Sequence, residues 1–113
     1  MDARLPAHLE VAALIRRTQA DGGFATVLQK GEREAGTIMI VLCESGTNSR
    51  IYERMPQPDG TRIWHAVRSQ SADNKDEFNQ YIDRRAAQDP DMWIIELDSA
   101  QGERLIGLPA SSI

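Results

Sequence analysis

Residues 89–98 read DPDMWIIELD: a proline between two acids, four large apolar residues, then two acids spaced by a leucine. Two interpretations compete. One is a cluster of carboxylates arranged for chemistry; the other is the stop of a helix followed by a buried strand. A residue before proline disfavours the α region, so Asp89-Pro90 ends whatever helix precedes it. Trp93, Ile95 and Leu97 then project to one side of a strand and Met92 and Ile94 to the other, so the strand is expected to be covered on both faces. The acids mark where solvent begins.

Working backwards, Phe78, Tyr81, Ile82 and Ala86 form a helical stripe that starts after the polar stretch 69–74. Asn74 followed by Glu77 fits an N-cap with its reciprocal partner, and Arg84 and Arg85 suit the negative pole of the helix dipole. At the other end of the chain Ala7, Val11, Leu14, Ile15 and Thr18 form a second stripe, opened by Pro6 and stopped by Asp21-Gly22-Gly23. Glu10, Arg16 and Arg17 lie off it.

Between the two helices the period changes to two. Residues 24–30, 37–44, 49–55 and 61–68 are short, rich in β-branched and aromatic residues, and separated by brief loops, which predicts an antiparallel meander. The second of these runs is apolar on both faces, with Ile38, Ile40 and Leu42 against Met39, Val41 and Cys43. After residue 98 a turn leads to residues 103–108, which read as a short returning strand before a tail from Pro109 to Ile113. The expected fold is α+β in two layers: an antiparallel sheet of about five strands, in the order α-β-β-β-β-α-β, with both helices packed on one face. The helix between the fourth and fifth strands lets the last strand pair away from the fourth.

Composition bounds the function. A chain of 113 residues with 41% apolar and 27% charged residues is one domain, residues 1–113, and buries roughly 65% of its unfolded surface without needing metals or disulfides. Thirteen Lys and Arg against 17 Asp and Glu give a net charge of −4, which repels nucleic acid and anionic lipid unless a basic patch is local. The single cysteine, Cys43, excludes an internal disulfide and a multi-cysteine zinc site. No secretory signal and no run of about 20 apolar residues is visible, so a cytoplasmic protein without membrane contact is expected.

Motifs for chemistry are sparse. Cys43 and His65 form a conceivable nucleophile and base, but a cysteine ending an apolar strand is usually a small buried hydrophobe. His8 has no second histidine at ligand spacing, KGEREAG (30–36) lacks the phosphate-loop pattern, and DNKDE (73–77) lacks calcium-loop spacing. No metal, cofactor or catalytic residue is assigned. The best candidate site is Arg50, Tyr52, Arg54, Arg62 and Trp64: if the third and fourth strands pair around the turn at 56–60, three guanidinium groups and two rings share a face able to hold an anion, stack a base or dock an acidic peptide. The plainer account has these arginines paired with Glu53 or Glu44. Alanine at Arg50 and Arg54 is expected to leave folding nearly intact and to abolish anion binding.

Three stretches together, RLPAHLEVAALIRRTQADGGFATVLQKGEREAGTIMIVL (4–42), IYERM (51–55) and DPDMWIIELD, resemble the alphaproteobacterial domain-of-unknown-function family 1491. The resemblance implies a small standalone bacterial protein. It brings no activity with it, so no catalytic or binding residue is carried over. The function expected is therefore a small non-catalytic binding or protein-interaction module, with a homodimer built on the two-sided apolar second strand as the expected partner. The alternatives are a small enzyme whose Glu96, Asp98, His65 or Arg62 converge in three dimensions, and a binder of anions or nucleic acid on the arginine face.

Overall fold

A computed structural model describes residues 5–108. In chain order the elements are α1 (Ala7–Ala20), β1 (Phe24–Gln29), β2 (Ile38–Glu44), β3 (Thr47–Pro56), β4 (Arg62–Ser69), α2 (Lys75–Gln88), β5 (Trp93–Asp98) and a one-turn α3 (Gly102–Leu105). The five strands form one open sheet in the order β1-β5-β2-β3-β4. The α+β class, the five strands and the order α-β-β-β-β-α-β match expectation; the arrangement differs in three respects.

First, the sheet is mixed and its first four strands are not a simple meander. β5 lies between β1 and β2, antiparallel to β1 (Phe24 opposite Asp98, Thr26 opposite Glu96) and parallel to β2 (Ile38 beside Trp93, Leu42 beside Leu97). β2, β3 and β4 remain antiparallel neighbours. The cause is the two-sided apolar pattern of both β2 and β5, which is satisfied only in the middle of a covered sheet. Every residue of β2 from Ile38 to Cys43 is buried, as are Trp93, Ile94, Ile95 and Leu97 in β5.

Second, the helices pack on opposite faces, giving three layers instead of two. Ala7, Val11 and Leu14 of α1 pack with Ile38, Ile40, Leu42, Tyr52, Trp93, Ile95 and Leu97. Phe78 of α2, flanked by Tyr81, Ile82 and Ala86, covers Met39, Val41, Ile51, Met92 and Ile94. One helical layer would have left Met39, Val41 and Ile94 in water.

Third, residues 103–108 do not return as a strand. β5 already has β1 on one side and β2 on the other, so no ladder is open beside it. The chain instead turns as α3 over the sheet, where Gly102 approaches so closely that an added Cβ would lie 3.0 Å from Leu42, and Ile106 joins the core on the α1 side. The tail 109–113 lies outside the described residues. At the start of α2, Asn74 holds the N-cap position but makes no cap bond; its amide donates to the Ser69 carbonyl and its Oδ1 accepts from the Ser71 N–H, so it ties down the preceding loop.

The loop after β1 runs against the chain entering β5. Gly31 has no room for a side chain: a Cβ there would press on the backbone oxygen of Asp91 and lie 2.7 Å from the Met92 carbonyl carbon. Trp93 seals this junction by donating its indole N–H to the Glu32 carbonyl at 2.9 Å. Gly31→Ala is therefore expected to destabilise by about 1–3 kcal/mol, as overpacking does, whereas Gln80→Ala, on the exposed surface of α2, stays within about 0.5 kcal/mol. Urea midpoints for the two variants check this; equal midpoints would mean the Gly31 junction yields.

Candidate functional site

β3 alternates, so Arg50, Tyr52 and Arg54 share one face of the sheet, the face that α1 covers. Arg54 stands opposite Trp64 in the β3–β4 ladder, and Arg62 follows on the same side of β4. The five candidate residues are thus brought to one side, but into two stations that are chemically different.

At the first station Arg50 is closed off. Its Nε and Nη2 each donate at 2.7 Å to the two carboxylate oxygens of Glu103, and its Nη1 donates to Glu44 at 3.3 Å and to the Asn48 carbonyl at 2.9 Å. The Tyr52 hydroxyl donates to Glu103 at 2.9 Å. This is a clasp that fixes α3 to the sheet, with only 12% of the Arg50 side chain exposed. The expected Arg50–Glu44 pair is present, but Glu53 lies on the other face, where it accepts from Tyr81 and Arg85. Arg50→Ala would leave the half-buried Glu103 carboxylate without its cation, with only the Tyr52 hydroxyl to meet it, so near-intact folding is not expected of that change.

At the second station Arg54 faces a cleft. Its guanidinium lies 4.8 Å above the Trp64 ring and makes a bidentate pair with Glu10 of α1, Nη2 to Oε1 at 3.0 Å and Nη1 to Oε2. Glu10 and Arg17 are two helical turns apart on α1 and both line this cleft; Arg54, Arg62 and the turn at Asp59–Thr61 form its other wall, and Leu5 its apolar end. Its volume is about 690 Å³, and a smaller recess of about 300 Å³ shares Leu5, Glu10, Arg54 and Arg62 with it. Asp59 is occupied within its own turn, where it accepts from the Thr61 N–H and hydroxyl, bonds that hold its carboxyl below the ordinary range. Arg17 donates one N–H to the Leu105 carbonyl at 3.0 Å.

The other sequence candidates do not converge. β3 separates Cys43 on β2 from His65 on β4, and the register Met39–Glu53–His65 places His65 four residues along from Cys43. Cys43 is buried, and burial, then the charges of Glu96 and Asp98, push its thiol up to about 11, the opposite of an activated nucleophile. Asp98 accepts from the Ser45 and Gly46 N–H groups at 2.8 and 3.1 Å, which anchors the β2–β3 turn; Glu96 lies beside Thr26, far along the sheet from exposed His65. His8 meets Arg33 through both ring nitrogens, at 3.0 Å to its carbonyl and 3.2 Å to its guanidinium. Among the described residues no group of His, Cys, Asp or Glu is placed to hold a metal ion, and no helix is long and apolar enough to cross a membrane.

Three residues of the face went unrecognised in the sequence: Glu10, Arg17 and Glu103. The spacing of Glu10 and Arg17, both off the apolar stripe and on one side of α1, was the available signal. Glu103 gave none, because its element was expected to be a strand.

The clasp has a pH signature. Hydrogen bonds from Arg50, and to a lesser degree from Tyr52, hold the Glu103 carboxyl at about 2 against an ordinary 4.5, while burial opposes them. A carboxyl whose folded pKa is depressed stabilises fully above its unfolded pKa, and that contribution is lost as pH falls from about 4.5 through about 2. Glu103→Gln is therefore expected to cost about 1–3 kcal/mol near neutral pH, with the gap from wild type closing as pH approaches 2. Urea melts of both proteins across that range check the sign; a gap independent of pH would show that Glu103 acts as a neutral acceptor.

Comparison with known proteins places the chain. It is similar to a protein of Caulobacter crescentus CB15 solved by crystallography, with 32% identity and a TM-score of 0.80 over 94% of this chain and 98% of that one. An NMR structure of a DUF1491 family protein from the same organism gives 33% identity and a TM-score of 0.77, covering 96% and 97%. A solution structure from A. tumefaciens gives 26% identity and 0.75 over the same shares. No curated protein matches. The family model described as "protein of unknown function (DUF1491)" matches residues 5–107, and the chain belongs to that family.

Proposed function

We propose that the protein is a small non-catalytic binding module that holds an organic anion in the cleft between α1 and the β3–β4 hairpin. The observation that carries this reading is the Glu10–Arg54 pair at the mouth of a recess of about 690 Å³, a volume within the usual range for small-molecule sites. Glu10 and Arg54 come from elements that meet only in the folded chain, and the guanidinium is held flat by Trp64. A planar, stacked guanidinium is pre-organised for a carboxylate. In the free protein Glu10 supplies it; a ligand carboxylate takes the same two donors while Glu10 swings into solvent.

Arg17 and Arg62 add positive charge along the walls, and Leu5 offers an apolar contact for the body of the ligand. The net charge of −4 weakens the nucleic-acid alternative, since long polyanions meet the whole surface and a small anion meets only the cleft. The reading needs no proton transfer and no nucleophile.

Calorimetric titration with citrate tests it. Wild type is expected to bind, Arg54→Gln to lose about tenfold or more in affinity, as expected for a lost charge-assisted hydrogen bond, and Glu10→Gln to gain affinity by freeing Arg54. Absence of heat with both wild type and Glu10→Gln would sink the proposal. Equal binding by Arg54→Gln would remove the site.

A further inference from the structure

The sheet has two edges, and they are built differently. β4 carries Arg62, His65 and Arg68 along its length. Charges along a strand are one way natural sheets blunt an edge against strand addition. β1, at the other edge, has no charged residue from Phe24 to Gln29, and it exposes Phe24 at 75%, Val27 at 42% and Leu28 at 47%. One side of β1 pairs with β5 and the other has no strand beside it among the described residues.

We propose that this edge pairs with β1 of a second copy of the chain, antiparallel about a two-fold axis at Thr26, so that two five-stranded sheets become one. The expected dimer interface on β2 is overturned, because β2 lies at the centre of the sheet with both faces covered. The β1 edge replaces it. Charge selects both the occupant and the direction. Asp21 and Asp98 stand at the Phe24 end of the strand and Lys30 at the other. Antiparallel pairing centred on Thr26 brings Lys30 of each copy, just past the paired stretch, to the end where the other copy carries Asp21 and Asp98; parallel pairing would bring acid to acid.

The same register places Phe24 opposite Leu28 of the second copy, and Val27 opposite its Ala25, so the exposed apolar side chains cover one another. The register shift between Val27 and Gln29 falls at Leu28, the last residue of the paired stretch 24–28. A contact of β1 with another copy's β4 would run on as an open filament, and the arginines of β4 oppose it; the β1–β1 contact closes on itself. The cleft lies against β3 and β4, at the other edge, so this inference does not rest on the binding proposal.

Sedimentation equilibrium of the full chain tests it. The expected mass approaches twice 12.6 kDa as concentration rises. Phe24→Glu, a change at a mostly exposed side chain, is expected to weaken dimerisation by more than about tenfold. Asp21→Lys and Lys30→Asp are each expected to weaken it, and the double exchange to restore it, a recovery that a merely structural role of either residue would not produce. Thr26→Cys is expected to cross-link under mild oxidation while wild type, whose Cys43 is buried, does not. A monomer at every concentration overturns the proposal, as does a dimer that Phe24→Glu leaves intact or a double exchange without recovery.

Discussion

The parallel ladder between β2 and β5 is the contact on which the rest of the molecule depends. It joins residues 38–43 to residues 93–98 in continuous register, and Met39, Ile40, Val41, Leu42, Ile94, Ile95 and Leu97 are all at or below 2% exposure. Each such side chain contributes roughly 1.5–3 kcal/mol when buried, so these two strands hold most of the apolar stabilisation within two neighbouring segments. Their side chains alternate to both faces, and neither face can be left to water. Placing α1 on one side and α2 on the other is the direct result.

The polar architecture follows from that placement. Covering the α1 face brings Glu10 and Arg17 over the β3–β4 hairpin, where Arg54 and Arg62 meet them. Ending β5 at Asp98 leaves the chain above Leu42, where Gly102 must lack a side chain for α3 to settle and deliver Glu103 to Arg50. On the other face Phe78 anchors α2, and Glu53 with Tyr81 and Arg85 fills the boundary; burial alone would push the Glu53 carboxyl up, but the two hydrogen bonds prevail and hold it low. Arg68 lies 4.5 Å from the Tyr81 ring and closes that side.

The elements were legible because their signals are local. The 3.6-residue stripes of residues 7–18 and 78–86, the stop at Asp89-Pro90 and the alternation of the strands each depend on a few neighbouring side chains. Even the burial of DPDMWIIELD on both faces could be read from Trp93, Ile94 and Ile95 alone. The same apolar pattern in residues 38–43 carried the consequence that both faces need a helix, yet it says nothing of which helix goes where; that is set by the crossover through α2. The site was legible by half. Period-two spacing put Arg50, Tyr52 and Arg54 on one face, but the carboxylates that make the bidentate pairs lie 44 and 53 residues away in sequence, beyond any local pattern.

Two arginines four residues apart on one strand, with nearly the same exposure, 12% and 13%, are nonetheless unlike. Arg50 is surrounded: two carboxylates and a backbone carbonyl take its donors, the Tyr52 hydroxyl donates to the same Glu103 carboxylate, and α3 closes over it. Exchanging any one acceptor for a ligand would strand the others. Arg54 has one carboxylate from a mobile-length side chain, an aromatic plate beneath it and open volume in front. Exchange there replaces one carboxylate by another and strands nothing, since Glu10 stands on a helix surface where solvent can take it. The difference between a clasp and a site is therefore the number of partners that must be given up together, and on this face it falls between positions 50 and 54.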